Sequence, residues 1–213
     1  FCERALSNAV RLGCRQILIA ACGYDTFSLR TGNKGLTVFD LDLPEMIEDR
    51  RRRIEKAFLE PACRVRSVGC DLSEPSWAQT LTEAGFDPEK TFFGSLLGIS
   101  YYLTEEEFRT LLRTLSGLSR EGSSLCFDYP QSEGGSESRR NRQLAAGAGE
   151  PMKAEYTCEK LEALLSEAGF LIYEHLNAEE ATEAFFTTYN SEHADHPMAA
   201  PEGVGYVLAV RKG

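Results

Sequence analysis

The chain has no long apolar run, no paired-cysteine motif and no excess of basic charge, and each absence closes a class of function. No apolar stretch approaches the roughly 20 residues needed to cross a bilayer, and the N-terminus carries no basic–apolar–small leader pattern, so no membrane role is expected. The seven cysteines (Cys2, Cys14, Cys22, Cys63, Cys70, Cys126 and Cys158) form no C-x-x-C pair and no ladder of short spacings. An odd, dispersed set, partly inside apolar runs, reads as reduced thiols acting as small hydrophobes, which points to the cytoplasm rather than to a disulfide framework. Lysine and arginine number 23 against 33 aspartates and glutamates, a net charge of −10. That field repels phosphate backbones, so nucleic acid is not expected as a substrate. The chain opens on Phe1 rather than methionine, and an N-terminal segment is expected to be missing from it.

The 213 residues, 42% hydrophobic and 26% charged, suit one α/β domain spanning 1–213 around a single large core. Apolar, β-branched and aromatic runs predict strands over 16–21, 36–41, 64–70, 91–97, 123–129, 170–175 and 205–210. Helical spacing fills the intervals. Pro44 opens a helix whose face carries Met46, Ile47, Ile54, Ala57 and Phe58. Thr104 and Glu107 form a capping box ahead of Phe108, Leu111, Leu112, Leu115 and Leu118. Thr157 caps a helix carrying Leu161, Leu164, Leu165 and Ala168, and Gly169 stops it. Such alternation predicts right-handed crossovers and a doubly wound, mostly parallel sheet with helices on both faces. Two stretches break the rhythm: 130–150 reads as a flexible insertion and 187–203 as a loop.

In open α/β sheets ligands bind beyond the carboxyl ends of the strands. After the first strand stands Ala21-Cys22-Gly23-Tyr24-Asp25, a small-x-Gly turn that lets backbone approach a ligand but lacks the G-x-G-x-x-G dinucleotide pattern. Asp42-Leu43 follows the second strand, where a carboxylate can accept both ribose hydroxyls or cap the helix begun by Pro44. Asp71-Leu72 follows the third and suits either an adenine amine and ring or an Asx turn toward Trp77. Leu97-Gly98 with Tyr101 and Tyr102 follows the fourth, and a tyrosine face there can stabilise a cation or simply fill the core. Asp128 and Tyr129 close the fifth strand, where both are candidates to face an acceptor and Asp128 can instead serve a turn. His193 and His196 read as solvated loop residues, His175 as structural, and Arg50–Arg53 as a solvated, ion-paired helix face.

Taken together, Gly23-Tyr24-Asp25-Thr26 with Arg30, Val38 to Pro44, Asp71-Leu72, Trp77 to Asp87 and Tyr102-Leu103-Thr104-Glu105-Glu106 resemble the leucine carboxyl methyltransferase family, including its bacterial members. The resemblance runs from Ile17 to Tyr129, about half the chain, and more weakly over Tyr206 to Ala209. It implies the Rossmann-like class I methyltransferase fold, seven strands with the last antiparallel, S-adenosyl-L-methionine as cofactor, and methyl transfer to oxygen, commonly of a carboxylate. Carried over by position, Gly23 lies against the methionine part of the cofactor, Asp42 holds the ribose, and Asp71 and Leu72 hold the adenine; Ala21, Tyr24, Asp25, Leu43, Leu97 and Gly98 complete that set. Tyr102 and Asp128 are the candidate catalytic residues.

The chain departs from the family at Ala21 (glycine), Phe27 (arginine) and Leu97 (glutamate), and the family's N-terminal segment, whose arginine engages the cofactor's carboxylate, is not found. The acceptor expected is a small-molecule or peptide carboxylate, or a hydroxyl, which would want a base where a carboxylate does not. Two other readings stand beside this one: a non-catalytic cofactor-binding protein of the same fold, and a nicotinamide-dependent oxidoreductase. The oxidoreductase also places an acid after its second strand, but the missing glycine pattern and Asp71 oppose it.

Overall fold

The structure is a computed structural model that describes residues 1–132, 135–147 and 149–213. Seven strands are laid down as β1 (Gln16–Ala20), β2 (Thr37–Asp42), β3 (Arg64–Gly69), β4 (Phe92–Leu96), β5 (Ser124–Pro130), β6 (Phe170–Leu176) and β7 (Val204–Arg211). The helices are α1 (Cys2–Arg11), α2 (Phe27–Arg30), α3 (Pro44–Lys56), α4 (Trp77–Glu83), α5 (Glu105–Gly117), α6 (Ser136–Gly147), α7 (Cys158–Glu167) and α8 (Ala178–Glu192). The strands form one sheet in the order β3-β2-β1-β4-β5-β7-β6. The pairs β3–β2, β2–β1, β1–β4 and β4–β5 are parallel, and β7 runs antiparallel to β5 and β6. The seven-strand count and the antiparallel last strand are those that the sequence resemblance implies.

Strand alternation builds the core. In β1, Ile17 and Ile19 face one side while Leu18 and Ala20 face the other; β4 divides Phe93 from Phe92 and Leu96 in the same way. One face packs under Trp77 and Leu81 of α4, Phe108 and Leu111 of α5 and Leu161 and Leu165 of α7. The opposite face packs against Ala5 and Leu6 of α1, with Phe27 and Ile47 partly buried beside it. Each fully buried leucine or phenylalanine contributes about 2 kcal/mol through removal of apolar surface from water. The Thr104–Glu107 capping box is present, with Thr104 N–H donating to Glu107 Oε2 at 2.6 Å and Glu107 N–H donating to Thr104 Oγ1 at 3.3 Å. Thr157 caps α7 by accepting the Lys160 N–H at 3.2 Å.

Four expectations need correction. The segment expected to be a flexible insertion holds helix α6, held at one point by Arg142, which donates to the Ala154 carbonyl at 3.2 Å and pairs with Glu155 at 2.5 Å. The loop expected from 187 starts later, because α8 runs to Glu192 from an Asn177–Glu180 capping box. Phe58 is not on the apolar face of α3: the helix ends at Lys56, and Phe58 follows at φ 54°, 92% exposed. Finally, the run of arginines on α3 is not uniformly solvated. Arg51, Arg52 and Arg53 pair with Glu48, Glu55 and Asp49 at the surface, whereas Arg50 is buried against Asp40.

Candidate active site

Because β1 lies between β2 and β4, the chain switches direction of addition at β1, and the crevice beyond its carboxyl end is the position at which doubly wound sheets bind ligands. The turn leaving β1 is held open there by two left-handed residues, Ala21 at φ 51° and Gly23 at φ 45°. A Cβ on Gly23 would meet no atom within 4 Å, so the backbone borders open space. The turn is tied to its neighbour twice: Cys22 N–H donates to the Leu41 carbonyl at 2.9 Å, and Gly23 N–H donates to Asp42 Oδ2 at 2.7 Å.

Asp42 is thus committed to backbone on both oxygens, since Oδ1 accepts the Leu43 N–H at 2.8 Å. It does not cap α3, whose first turn has no side-chain cap. A carboxylate offers about four lone-pair positions, so each oxygen can still accept a hydroxyl. Asp71 makes the Asx turn that its position allowed: Oδ1 accepts the Ser73 N–H at 2.9 Å and its O–H at 2.7 Å, which holds the carboxyl below its usual range. Asp71 Oδ2 has no protein partner among the described residues, and Leu72 beside it packs against the core. Asp71 is therefore free to accept a further donor on that oxygen.

The loop after β4 is organised by Asp128. Its Oδ1 accepts the Gly98 N–H at 2.7 Å, its Oδ2 accepts the Tyr101 hydroxyl at 3.0 Å, and its carbonyl accepts the Ser100 hydroxyl at 2.7 Å. Gly98 is left-handed at φ 72° and, like Gly23, has open space where a Cβ would stand. Burial and the Asp128 carboxylate push the Tyr101 phenol well above its ordinary range; burial and the same carboxylate raise Tyr206, the cross-strand partner of Asp128. Tyr102 sits one residue on, about a third exposed, with its ring 6.4 Å from that of Tyr101.

The expected residues fall at the carboxyl ends of β1 to β5. Ala21 to Asp25, Asp42 and Leu43 form one connected unit, Gly98 and Asp128 form a second, and Asp71 with Leu72 is linked to the first through Cys70 N–H on the Asp42 carbonyl at 2.8 Å. Tyr24 turns toward α3, its hydroxyl on Asp49 at 2.5 Å and the Arg53 guanidinium 4.8 Å from its ring centroid. Tyr24, Leu43, Leu97 and Tyr102 keep large apolar surfaces exposed around these strand ends, as a ligand-covering rim would. Two residues outside the expected site belong to its framework. Tyr101 fixes Asp128, and Arg50, read from sequence as a surface cation, reaches the turn from behind. The sequence carried a signal for Arg50, since it falls between Ile47 and Ile54 on the inward face of α3.

This set fits S-adenosylmethionine. Two aspartates keep free lone pairs for ribose and adenine donors, and two left-handed glycines leave room for close backbone contact. The family model for leucine carboxyl methyltransferase matches residues 1–116. The Bacillus subtilis protein YktD, provisionally named an S-adenosyl-L-methionine-dependent methyltransferase, is 35% identical over all of this chain and 70% of its own length. A Mycobacteroides abscessus protein of the same provisional name is 32% identical over 83% of this chain, which spans 61% of that relative. Among solved structures, a DUF574 family protein from Streptomyces avermitilis superposes with a TM-score of 0.72 over 99% of this chain and 80% of its own, at 16% identity. Magnesium protoporphyrin IX methyltransferase from Synechocystis, solved with bound S-adenosylhomocysteine, superposes with a TM-score of 0.61 over 99% of this chain and 82% of its own, at 12% identity, a likeness of fold alone. The chain belongs to the leucine carboxyl methyltransferase family, a family of S-adenosylmethionine-dependent methyltransferases.

Proposed function

We propose that this chain binds S-adenosylmethionine across the carboxyl ends of β1, β2 and β3 and that the acceptor of its methyl group is an oxygen, of a carboxylate in preference to a hydroxyl. In the binding mode proposed, Ala21, Gly23, Tyr24 and Asp25 border the methionine part, Asp42 with Leu43 holds the ribose, Asp71 and Leu72 take the adenine, and Leu97 and Gly98 close the side toward β4. The cofactor, when bound, supplies a methyl group already activated on a sulfonium, so the protein has to align an acceptor and exclude water.

The observation that carries the choice of acceptor is the state of Asp128. Both its oxygens are already accepting, from Gly98 N–H and from the Tyr101 hydroxyl. Tyr101 and Tyr206 beside it hold their protons more tightly than a free phenol does. A hydroxyl acceptor would want a base at this end of β4 and β5, and Asp128 would have to serve as that base while both its oxygens hold the loop; a carboxylate acceptor needs no base. Asp128 then acts as the post holding the Gly98–Tyr101 loop, and Tyr102, exposed next to that loop, is the side chain placed to meet the acceptor. The net charge of −10 disfavours nucleic acid as the acceptor, and the seven unpaired thiols favour a reducing, cytoplasmic setting. Among the described residues no helix is long and apolar enough to cross a membrane.

The test uses methyl-labelled S-adenosylmethionine with a panel of carboxylic acids, peptides with free C-termini, and phenols. Products are then treated with mild alkali, which hydrolyses methyl esters to volatile methanol and leaves methyl ethers intact. Volatile label is expected. Label that survives alkali would move the acceptor to a hydroxyl and return Asp128 to the role of base.

A further inference from the structure

Arg50 and Asp40 form a buried ion pair with no part in the ligand contacts proposed above. Arg50 is 4% and Asp40 1% exposed, and Arg50 Nη2 donates to Asp40 Oδ2 at 3.0 Å and to Ser28 Oγ at 3.1 Å. Ser28 in turn donates to the same Asp40 oxygen at 3.3 Å. Desolvating a guanidinium and a carboxylate together is expensive, and well-packed apolar residues of the same volume are often at least as stabilising. The pair is also incompletely satisfied, because Asp40 Oδ1 is buried with no partner among the described residues. Burial accordingly pushes the Asp40 carboxyl above its ordinary range, against the pull of Arg50 and Ser28. Stability alone gives this arrangement little reason.

The other guanidinium nitrogen shows where the pair is directed. Arg50 Nη1 donates to the Asp25 carbonyl and, more distantly at 3.5 Å, to the Gly23 carbonyl. Those carbonyls belong to the turn that holds two left-handed residues within three positions, one of them the non-glycine Ala21. Residues in such conformations persist only where the surroundings over-determine them. From the front the turn is held by Asp42 on Gly23 N–H, and from the β2 side by the Leu41 carbonyl on Cys22 N–H. From behind it is held by Arg50, whose orientation Asp40 and Ser28 set.

We propose that Arg50 is a positioning residue for the methyl-donor turn, aimed by Asp40 and Ser28 so that the carbonyls of Gly23 and Asp25 stay on the guanidinium and the Gly23 N–H stays on Asp42. The role rests on the reading of residues 21–25 as part of the cofactor site. The planar fork is what suits arginine to the task, because one group reaches a carboxylate, a hydroxyl and two carbonyls at fixed angles. An ammonium is a point charge on a flexible stem and cannot span them. Without the fork the turn samples other conformations, and ligand binding has to pay for ordering it.

The experiment is calorimetric titration of the full chain and its Arg50→Lys variant with S-adenosylhomocysteine, with thermal midpoints measured in parallel. Leu164→Ala, a core change in α7, serves as a control for destabilisation remote from the turn. Arg50→Lys is expected to weaken binding about tenfold or more, while Leu164→Ala leaves affinity within about twofold whatever its loss of midpoint. Should Arg50→Lys fail to fold, Ser28→Ala, which removes one of the groups that aim the guanidinium, is expected to weaken binding roughly threefold. Affinity unchanged in the folded Arg50→Lys variant, or in Ser28→Ala where it stands in, overturns the positioning role and leaves the cofactor reading intact. Failure of the unmodified chain to bind overturns both.

Discussion

The carboxylate of Asp42 accepts the backbone N–H of Gly23 at 2.7 Å, so the end of β2 and the turn after β1 form one rigid unit before any ligand arrives. The same carboxylate was expected from sequence to serve a ribose or to cap α3; the geometry shows it fastening the turn, with lone pairs left over. Pre-organisation of this kind lowers the ordering cost of binding.

Asp128→Asn separates a post from a base. The amide oxygen can keep the Gly98 N–H bond, while the charge and any basicity are lost. On the carboxylate-acceptor account, methyl transfer falls by less than about tenfold and its pH profile between 6 and 9 keeps its shape. A loss of about 10²–10⁴, with the limb of the profile that reports a base gone, would mark Asp128 as a general base instead.

Gly98→Ala and Gly205→Ala are expected to fail for different reasons. At Gly98 the φ of 72° strains any L side chain although the space is open, a cost of about 1–2 kcal/mol. At Gly205 the added carbon would stand 2.3 Å from Tyr129 Cε1 in a fully buried ring, an overpacking cost of about 1–3 kcal/mol or more. Tyr129 also holds His175 Nε2 at 2.9 Å, so that contact should break with it. Denaturant midpoints would test both, since both variants lose stability, and Gly205→Ala is also expected to change the near-ultraviolet signal of the buried Tyr129. An unchanged midpoint in Gly205→Ala would contradict the packing described.

Much of the fold was legible in the sequence, because its drivers are local. The β-branched and aromatic runs of β1, β2, β4 and β5 and the caps at Thr104 and Thr157 act within a few residues of themselves. The misplaced parts lack such a driver or depend on a distant partner. Among its described residues helix α6 shows no inward apolar stripe (Leu144 is 63% exposed), and among the described contacts Arg142 ties it down. The extent of α8 was readable from Asn177 and Glu180, a capping box that the histidines and prolines downstream obscured. Arg50 was hidden among four arginines; its place between Ile47 and Ile54 sets it apart from the other three, and the buried Asp40 in the neighbouring strand is the distant partner that the sequence does not show. At the site, the strand-end positions of Asp42, Asp71 and Asp128 could be read from spacing; what their oxygens already hold could not.

Stability should decline in alkali before the fold is otherwise perturbed. Burial pushes Cys22 from 9.0 up to about 12 and Cys70 from 9.0 up to about 11. It also pushes Tyr129 and Tyr156 from 10.0 up to about 12. Groups whose folded pKa is raised contribute stability that is complete below their unfolded values and is lost as pH climbs through the folded ones, since the unfolded chain releases these protons first. The window therefore runs from about pH 9 to pH 12. The thermal midpoint is expected to fall by roughly 5 °C or more between pH 9 and pH 11, and less in the Cys22→Ala, Cys70→Ala double variant. A midpoint that is flat across this range would contradict the burial assigned to these groups.

The most direct test of the central claim is a calorimetric titration of the chain with S-adenosylmethionine and S-adenosylhomocysteine, with NADH as the control ligand, repeated on Asp42→Ala. The account predicts binding of both adenosyl ligands, no binding of NADH, and a loss of about tenfold to a hundredfold in affinity when the carboxylate that joins Gly23 to β2 is removed. Binding of NADH in place of the adenosyl ligands, or adenosyl affinity indifferent to Asp42→Ala, would contradict it.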